Sequence, residues 1–162
     1  MVKAQDIADY FIWLANYTGS FISNLKLQKL VYYAQAWYLA IHDKPLFDED
    51  FEAWIHGPVI PELYNEYCEF KWKPILKEVE EPFFTEEIKQ FLSEVTDVYF
   101  GLDAYELEQM TRSEAPWIEA RGEKPTDASC NEIISKESMR EYFKPRVEEE
   151  EDSAAIAQHP VR

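Results

Sequence analysis

The chain has 162 residues, 46% hydrophobic and 15% aromatic, and its 32 Asp+Glu against 16 Lys+Arg give a formal net charge of −16. That length suits one domain with an aromatic-rich core that needs no metal or disulfide staple. The acidity withholds the basic footprint of a nucleic-acid binder and opposes anionic membranes, while it aids solubility and suits a basic protein partner.

The first helix is predicted over residues 4–16, where Ile7, Phe11, Leu14 and Ala15 fall on one face and Tyr10, Trp13 and Tyr17 on the next. Gly19 supplies its stop. The second helix opens at Ser23 or Asn24, both good N-caps, and continues to residue 41. Leu27, Leu30, Val31, Ala34, Tyr38 and Ile41 form one apolar stripe, and Leu25, Tyr32, Ala36 and Leu39 occupy much of the other side. A helix apolar nearly all round belongs at the centre of the fold. Its few polar residues, Lys26, Gln28, Lys29 and Gln35, must reach solvent or find partners.

Residues 47–55 alternate, with Phe47, Phe51, Ala53 and Ile55 on one side and Asp48, Asp50 and Glu52 on the other, as in a half-buried strand. Gly57 and Pro58 form a turn, and Pro61 suits the first turn of a third helix over residues 61–70. Residues 72–82 read as irregular. Thr85 caps a fourth helix whose inner face carries Ile88, Phe91, Leu92, Val95 and Tyr99, and Gly101 stops it. Asp103 caps a fifth helix with Leu107 and Met110, and Ser113 caps a short sixth one with Trp117 and Ile118.

Residues 123–131 read as a loop, Ile133 and Ile134 as an edge strand, and residues 135–143 as a last short helix capped by Ser135 or Ser138. Beyond Pro145 comes an acidic run followed by SAAIAQHPVR, a composition typical of disorder. The expected fold is therefore mainly α. A single helical domain with a small β element spans residues 1–146, and a disordered acidic tail spans residues 147–162.

No constellation for chemistry emerges. His42, His56 and His159 have no i,i+4 pairing, and Cys68 and Cys130 stand alone, so neither a metal site nor a cofactor is expected. His56 lacks a nucleophile or second His at motif spacing, so it either caps its turn or faces a partner, and no enzyme is expected. Trp54 breaks the strand alternation. It is either an exposed interface anchor or a core residue of a strand covered on both faces. Lys26 and Lys29 pair with internal carboxylates or with an acidic partner, and so acidic a chain favours the first. Thr111, Ser113, Glu114, Pro116 and Trp117 read as a helix connection. Ser113 caps, Glu114 meets the positive helix end, Pro116 fits the first turn and Trp117 plugs the core. The charged start does not suit a signal peptide and no apolar run spans a bilayer, so a reduced, cytoplasmic setting is expected.

Three stretches share an order and spacing that resembles the Panacea antitoxin-domain family, which includes SocA-like antitoxins and many phage-associated proteins. The first is Asn24-Leu25-Lys26-Leu27-Gln28-Lys29-Leu30 followed by Tyr32-Tyr33-Ala34-Gln35. The second is Pro45-Leu46-Phe47 with Glu52-Ala53-Trp54 and His56-Gly57-Pro58-Val59. The third is LEQMTRSEAPW, from Leu107 to Trp117. The resemblance covers residues 1–144. It departs at Arg112, where the family pattern has histidine, so no role needing an imidazole carries over to that position.

The resemblance implies an antitoxin module that neutralises a cognate protein toxin, encoded by the adjacent gene, through direct binding. Tyr33, Trp37, Trp54 and His56 are the candidate contact residues. Asn24, Lys26, Gln28, Lys29, Tyr32, Gly57, Pro58, Thr111, Glu114, Pro116 and Trp117 are the candidate structural positions of the motifs. One alternative is an adaptor that delivers the toxin to an AAA+ protease. Another is an acidic phage or mobile-element protein that mimics DNA and captures a host protein, which steep salt dependence would reveal. Neither direct nucleic-acid binding nor membrane binding is expected.

Overall fold

A computed structural model describes residues 1–149 and Ile156. The elements run α1 (Ala4–Thr18), α2 (Asn24–His42), β1 (Phe51–Trp54), β2 (Gly57–Val59), α3 (Pro61–Glu66), α4 (Glu86–Tyr99), α5 (Ala104–Arg112), α6 (Ala115–Arg121), β3 (Ile133–Ile134) and α7 (Lys136–Glu149). The fold is mainly α with one small antiparallel sheet of order β2-β1-β3. No helix among the described residues is long and apolar enough to cross a membrane.

Local signals explain most helix ends. Gly19 takes φ 72° after α1, a left-handed conformation that costs glycine little, and Ser20 N–H donates to the Ala15 carbonyl at 2.9 Å. The Ser23 hydroxyl accepts from Lys26 N–H at the start of α2. Thr85 caps α4 through Ile88 N–H. Asp103 and Glu106 exchange a reciprocal capping box at the start of α5.

Every residue of α2 from Leu27 to Ala40 is buried, as its all-round apolar pattern requires. The helix packs against α1, α3, α4, α5, α7 and β2. Its aromatic residues build the centre of the core. Tyr33 stacks on Tyr99 with centroids 4.2 Å apart, Trp37 meets Phe143 at 4.9 Å, and Tyr32 lies edge-on to Phe51 at 5.3 Å. Each such ring removes ~150–250 Å² from water, so this cluster supplies much of the hydrophobic stabilisation.

Four expected boundaries change. The strand begins at Phe51 rather than Phe47, because Leu46 and Phe47 give their backbone groups to Gln35 instead of to a sheet. Gly57 and Pro58 lie in a second strand rather than only in a turn. Trp54 opposes Gly57, Ala53 opposes Pro58 and Glu52 opposes Val59, and an edge position tolerates the missing Pro58 N–H. The third helix ends at Glu66, and Cys68–Phe70 continues as a 3-10 turn. The last helix passes through Pro145 to Glu149. The proline removes one helical N–H, and Arg146 Nη1 donates to the Tyr142 carbonyl at 2.6 Å. The expected disordered tail otherwise falls outside the described residues, Ile156 excepted.

Candidate partner-binding site

Two stripes of α2 organise the site. Asn24, Gln28 and Gln35 recur at helical spacing on one face. Asn24 Nδ2 donates to the Tyr64 carbonyl at 2.9 Å, Gln28 Nε2 to Asn24 Oδ1 at 3.0 Å, and Ile60 N–H to Gln28 Oε1 at 3.0 Å. Gln35 Nε2 donates to the Phe47 carbonyl at 2.7 Å, and its Oε1 accepts from Leu46 N–H at 2.8 Å. Amides carry both donors and acceptors, so this stripe satisfies buried loop backbone that has no regular ladder. It thereby sets where residues 45–64 lie against the core.

Lys29, Tyr33 and Trp37 form the second stripe, at i, i+4 and i+8. It faces the C-terminal helices. Tyr33 OH donates to Glu114 Oε1 at 3.0 Å, and Trp37 Nε1 donates to Tyr99 OH at 2.7 Å. Burial, and then the neighbouring Glu114 carboxylate, push the Tyr33 phenol well above its ordinary range. Tyr33 and Trp37 are both 0% exposed, so neither stands on the surface as a contact residue. Tyr99 of α4 and Phe143 of α7 cover this face.

Lys29 lies under the hairpin. It is fully buried, its Nζ is 3.5 Å from the Pro58 carbonyl oxygen, and burial lowers its pKa to about 7 against the opposing pull of Glu108. The expected internal salt bridge is replaced by this carbonyl contact. Lys26 likewise reaches a carbonyl, that of Phe100 at 2.6 Å, with its ammonium 5.0 Å from the Phe100 ring centroid. Gly57 takes φ +104°, and a Cβ there would fall 2.7 Å from both Lys29 Cε and Thr111 Oγ1. Glycine is required twice, for the backbone angle and for the space.

The third motif closes the frame. Thr111 is buried and its hydroxyl donates to the Glu108 carbonyl at 2.9 Å. Ser113 does not cap α6. Its hydroxyl donates to the Met110 carbonyl at 2.8 Å and finishes α5. Glu114 holds the N-cap position but makes no side-chain cap, because its carboxylate turns inward to Tyr33. Pro116 occupies the first turn of α6. Trp117 is 2% exposed and its Nε1 donates to the Trp54 carbonyl at 2.8 Å. Arg112 and Arg121 lie over the Trp117 ring at 5.2 and 4.7 Å. Arg121 Nη1 also donates to the Ala53 carbonyl at 2.7 Å. Arg112, in place of the pattern's histidine, bonds Glu108 Oε2 at 3.3 Å and the Thr126 carbonyl at 3.3 Å.

On this frame sits a cleft of about 680 Å³, lined by Leu25, Glu52, Trp54, Ile55, His56, Val59, Tyr64 and residues 129–131. Trp54 is half-buried, its Nε1 donating to Glu52 Oε1 at 2.8 Å and its ring edge-on to Tyr64 at 5.1 Å. His56 is exposed, and its Nδ1 lies 3.1 Å from Glu108 Oε2. Of the four expected contact residues, Trp54 and His56 thus meet at one opening, while Tyr33 and Trp37 are elsewhere. Glu108 and the 129–131 wall were not legible in sequence, since each comes from a distant segment, and Tyr64, though near in sequence, reaches Trp54 only through the turn of α3. Glu52 was legible, two residues from Trp54 on the same side of a strand. No group of three or more His, Cys, Asp or Glu among the described residues could hold a metal ion.

The family model described as antitoxin SocA-like, Panacea domain, matches residues 27–118. The chain belongs to this family. The match contains the second stripe of α2, the hairpin and the third motif, and it lies within the range of residues 1–144 expected from the motifs. Antitoxin SocA of Caulobacter vibrioides (strain NA1000 / CB15N) is 41% identical over 64 residues, which are 40% of this chain and 34% of that protein. The aligned part thus spans about a third of that relative's length. No solved structure matches the chain.

Proposed function

We propose that this protein is an antitoxin that neutralises a cognate protein toxin, encoded by the adjacent gene, by binding it directly through the face around Trp54 and His56. The supporting observation is the division of labour among the motif residues. Gln28, Lys29 and Trp117 bond the backbone of the hairpin and of the residue after it, Glu114 ties the start of α6 to Tyr33, and the hairpin presents Trp54 and His56 at an open cleft. A large aromatic in a partly desolvated pocket with a polar rim suits a binding hot spot. The net charge of −16 would speed encounter with a basic toxin.

The test is inducible expression of the neighbouring open reading frame with and without this protein, following growth and then co-purification. Direct neutralisation requires growth arrest, rescue and a co-eluting complex. Rescue with rapid loss of the toxin and no stable complex would favour the protease adaptor. A neighbour harmless by itself would remove the toxin pairing.

A further inference from the structure

Among the described residues the outer face of the small sheet carries a single carboxylate beside aromatic and aliphatic side chains. Register places Val59, Glu52 and Ile133 in one row across β2, β1 and β3. Residues directly opposite in antiparallel strands share a face. Trp54, two positions along β1, shares it too. Its indole N–H holds Glu52 at 2.8 Å, and Tyr64 meets its ring with the planes at 62°. No lysine or arginine among the described residues lines the cleft. Among the described residues Glu52 is in no ion pair.

Elsewhere the protein completes this chemistry internally. Trp117 has the Arg112 and Arg121 guanidinium groups over its ring, and Tyr142 has that of Arg146 at 4.1 Å. Trp54 and Tyr64 combine ring surface with an anion and have no cation of their own among the described residues.

We infer that the cleft receives a basic side chain of the partner protein, arginine above all, seated on the Trp54 and Tyr64 rings with its charge on Glu52. This rests on the antitoxin reading above. A guanidinium stacks on aromatic faces, bonds a carboxylate and is weakly hydrated, so it loses less on entering such a cleft than an ammonium does. Leu25 and Ile55 provide apolar wall for the methylene stem and for an adjoining apolar residue. The acidic surface as a whole attracts the cation toward the opening.

The test follows the Trp54 indole N–H signal by NMR in the full chain while adding N-acetyl-arginine-N-methylamide, and separately its neutral citrulline counterpart. Arginine is expected to shift that signal saturably. Citrulline, and arginine against the Glu52→Gln variant, should bind about tenfold more weakly or worse, the effect of one lost charge contact. Glu52→Gln keeps an acceptor for the indole, and an unchanged melting temperature checks its fold. No shift up to the solubility limit overturns the inference. So does equal binding of citrulline, which would make the cleft a purely apolar seat, or an unaltered response in Glu52→Gln. In the growth assay, wild type that rescues alongside a Glu52→Lys variant that rescues equally sinks the basic anchor alone. Failure of the wild type to rescue sinks the antitoxin reading alone.

Discussion

A Cβ on Gly57 would lie 2.7 Å from Cε of Lys29, so the hairpin and the central helix touch at a point where no larger residue fits. Lys29 in turn holds the Pro58 carbonyl. The cleft face is thus fixed to the core one residue away from His56.

Gly57→Ala is expected to destabilise the protein by about 2–4 kcal/mol, from backbone strain at positive φ and from overpacking. Gly19→Ala also sits at positive φ, 72°, in the left-handed helical region, but with nothing within 4 Å of the added carbon. It should cost only about 1 kcal/mol. Urea unfolding of the two variants checks this, and equal losses would show that the Lys29 contact contributes nothing.

Stability should depend on pH through Lys29. Its folded pKa of about 7 lies below its ordinary 10.5, because burial penalises the charge. Between those values the unfolded chain binds more protons than the folded one, so stability rises with pH across that window and is lost as pH falls toward 7. Lys29→Met removes this titrating group. The unfolding free energy of wild type minus that of Lys29→Met should therefore increase from about pH 7 to about pH 10. A flat difference would mean that Lys29 keeps an ordinary pKa. Above that range the buried tyrosines, whose pKa values are raised by burial, act in the opposite sense.

Gln35→Met tests the amide stripe. The variant keeps much of the volume but strips partners from the buried Leu46 N–H and Phe47 carbonyl. A loss of about 2–4 kcal/mol is expected, with each orphaned group costing about 1–3 kcal/mol. Loss of amide protection at Leu46 in hydrogen exchange would locate the effect.

The proposed face predicts a separation of phenotypes. Trp54→Ala combined with His56→Ala should weaken neutralisation while moving the melting temperature by no more than about 4 °C, the scale of a change near 1 kcal/mol. Trp37→Ala, in the core, should cost about 3–5 kcal/mol and lower neutralisation only by lowering the amount of folded protein. Growth rescue measured beside thermal melts separates the two. Full rescue by the Trp54/His56 variant would exclude this face as the contact.

Much of the fold was legible from local patterns. The caps at Ser23, Thr85 and Asp103, the stop at Gly19 and the all-round apolar run of α2 act within a turn or two of themselves, so they can be read without knowing what packs against them. Ser113 and Glu114 misled for the same reason. Both are good capping residues in isolation, but Ser113 bonds back to Met110 to finish α5, and the tertiary contact with Tyr33 turns Glu114 inward. Tyr33 and Trp37 were candidate contacts as large aromatics of the family motif and its continuation, and sequence does not show that α4 and α7 cover them.

The sequence by itself determined the mainly α class, the central helix and the family, because these depend on spacing along the chain. The tertiary structure decided what the motif residues do. It joined Lys29 to Pro58, Gln28 to Ile60 and Trp117 to Trp54, and it brought Glu52, Trp54, His56 and Tyr64 to one opening. Those pairings join segments distant in the chain. Hydrogen-bond satisfaction and close packing select them only when the whole core assembles, so no local pattern encodes them.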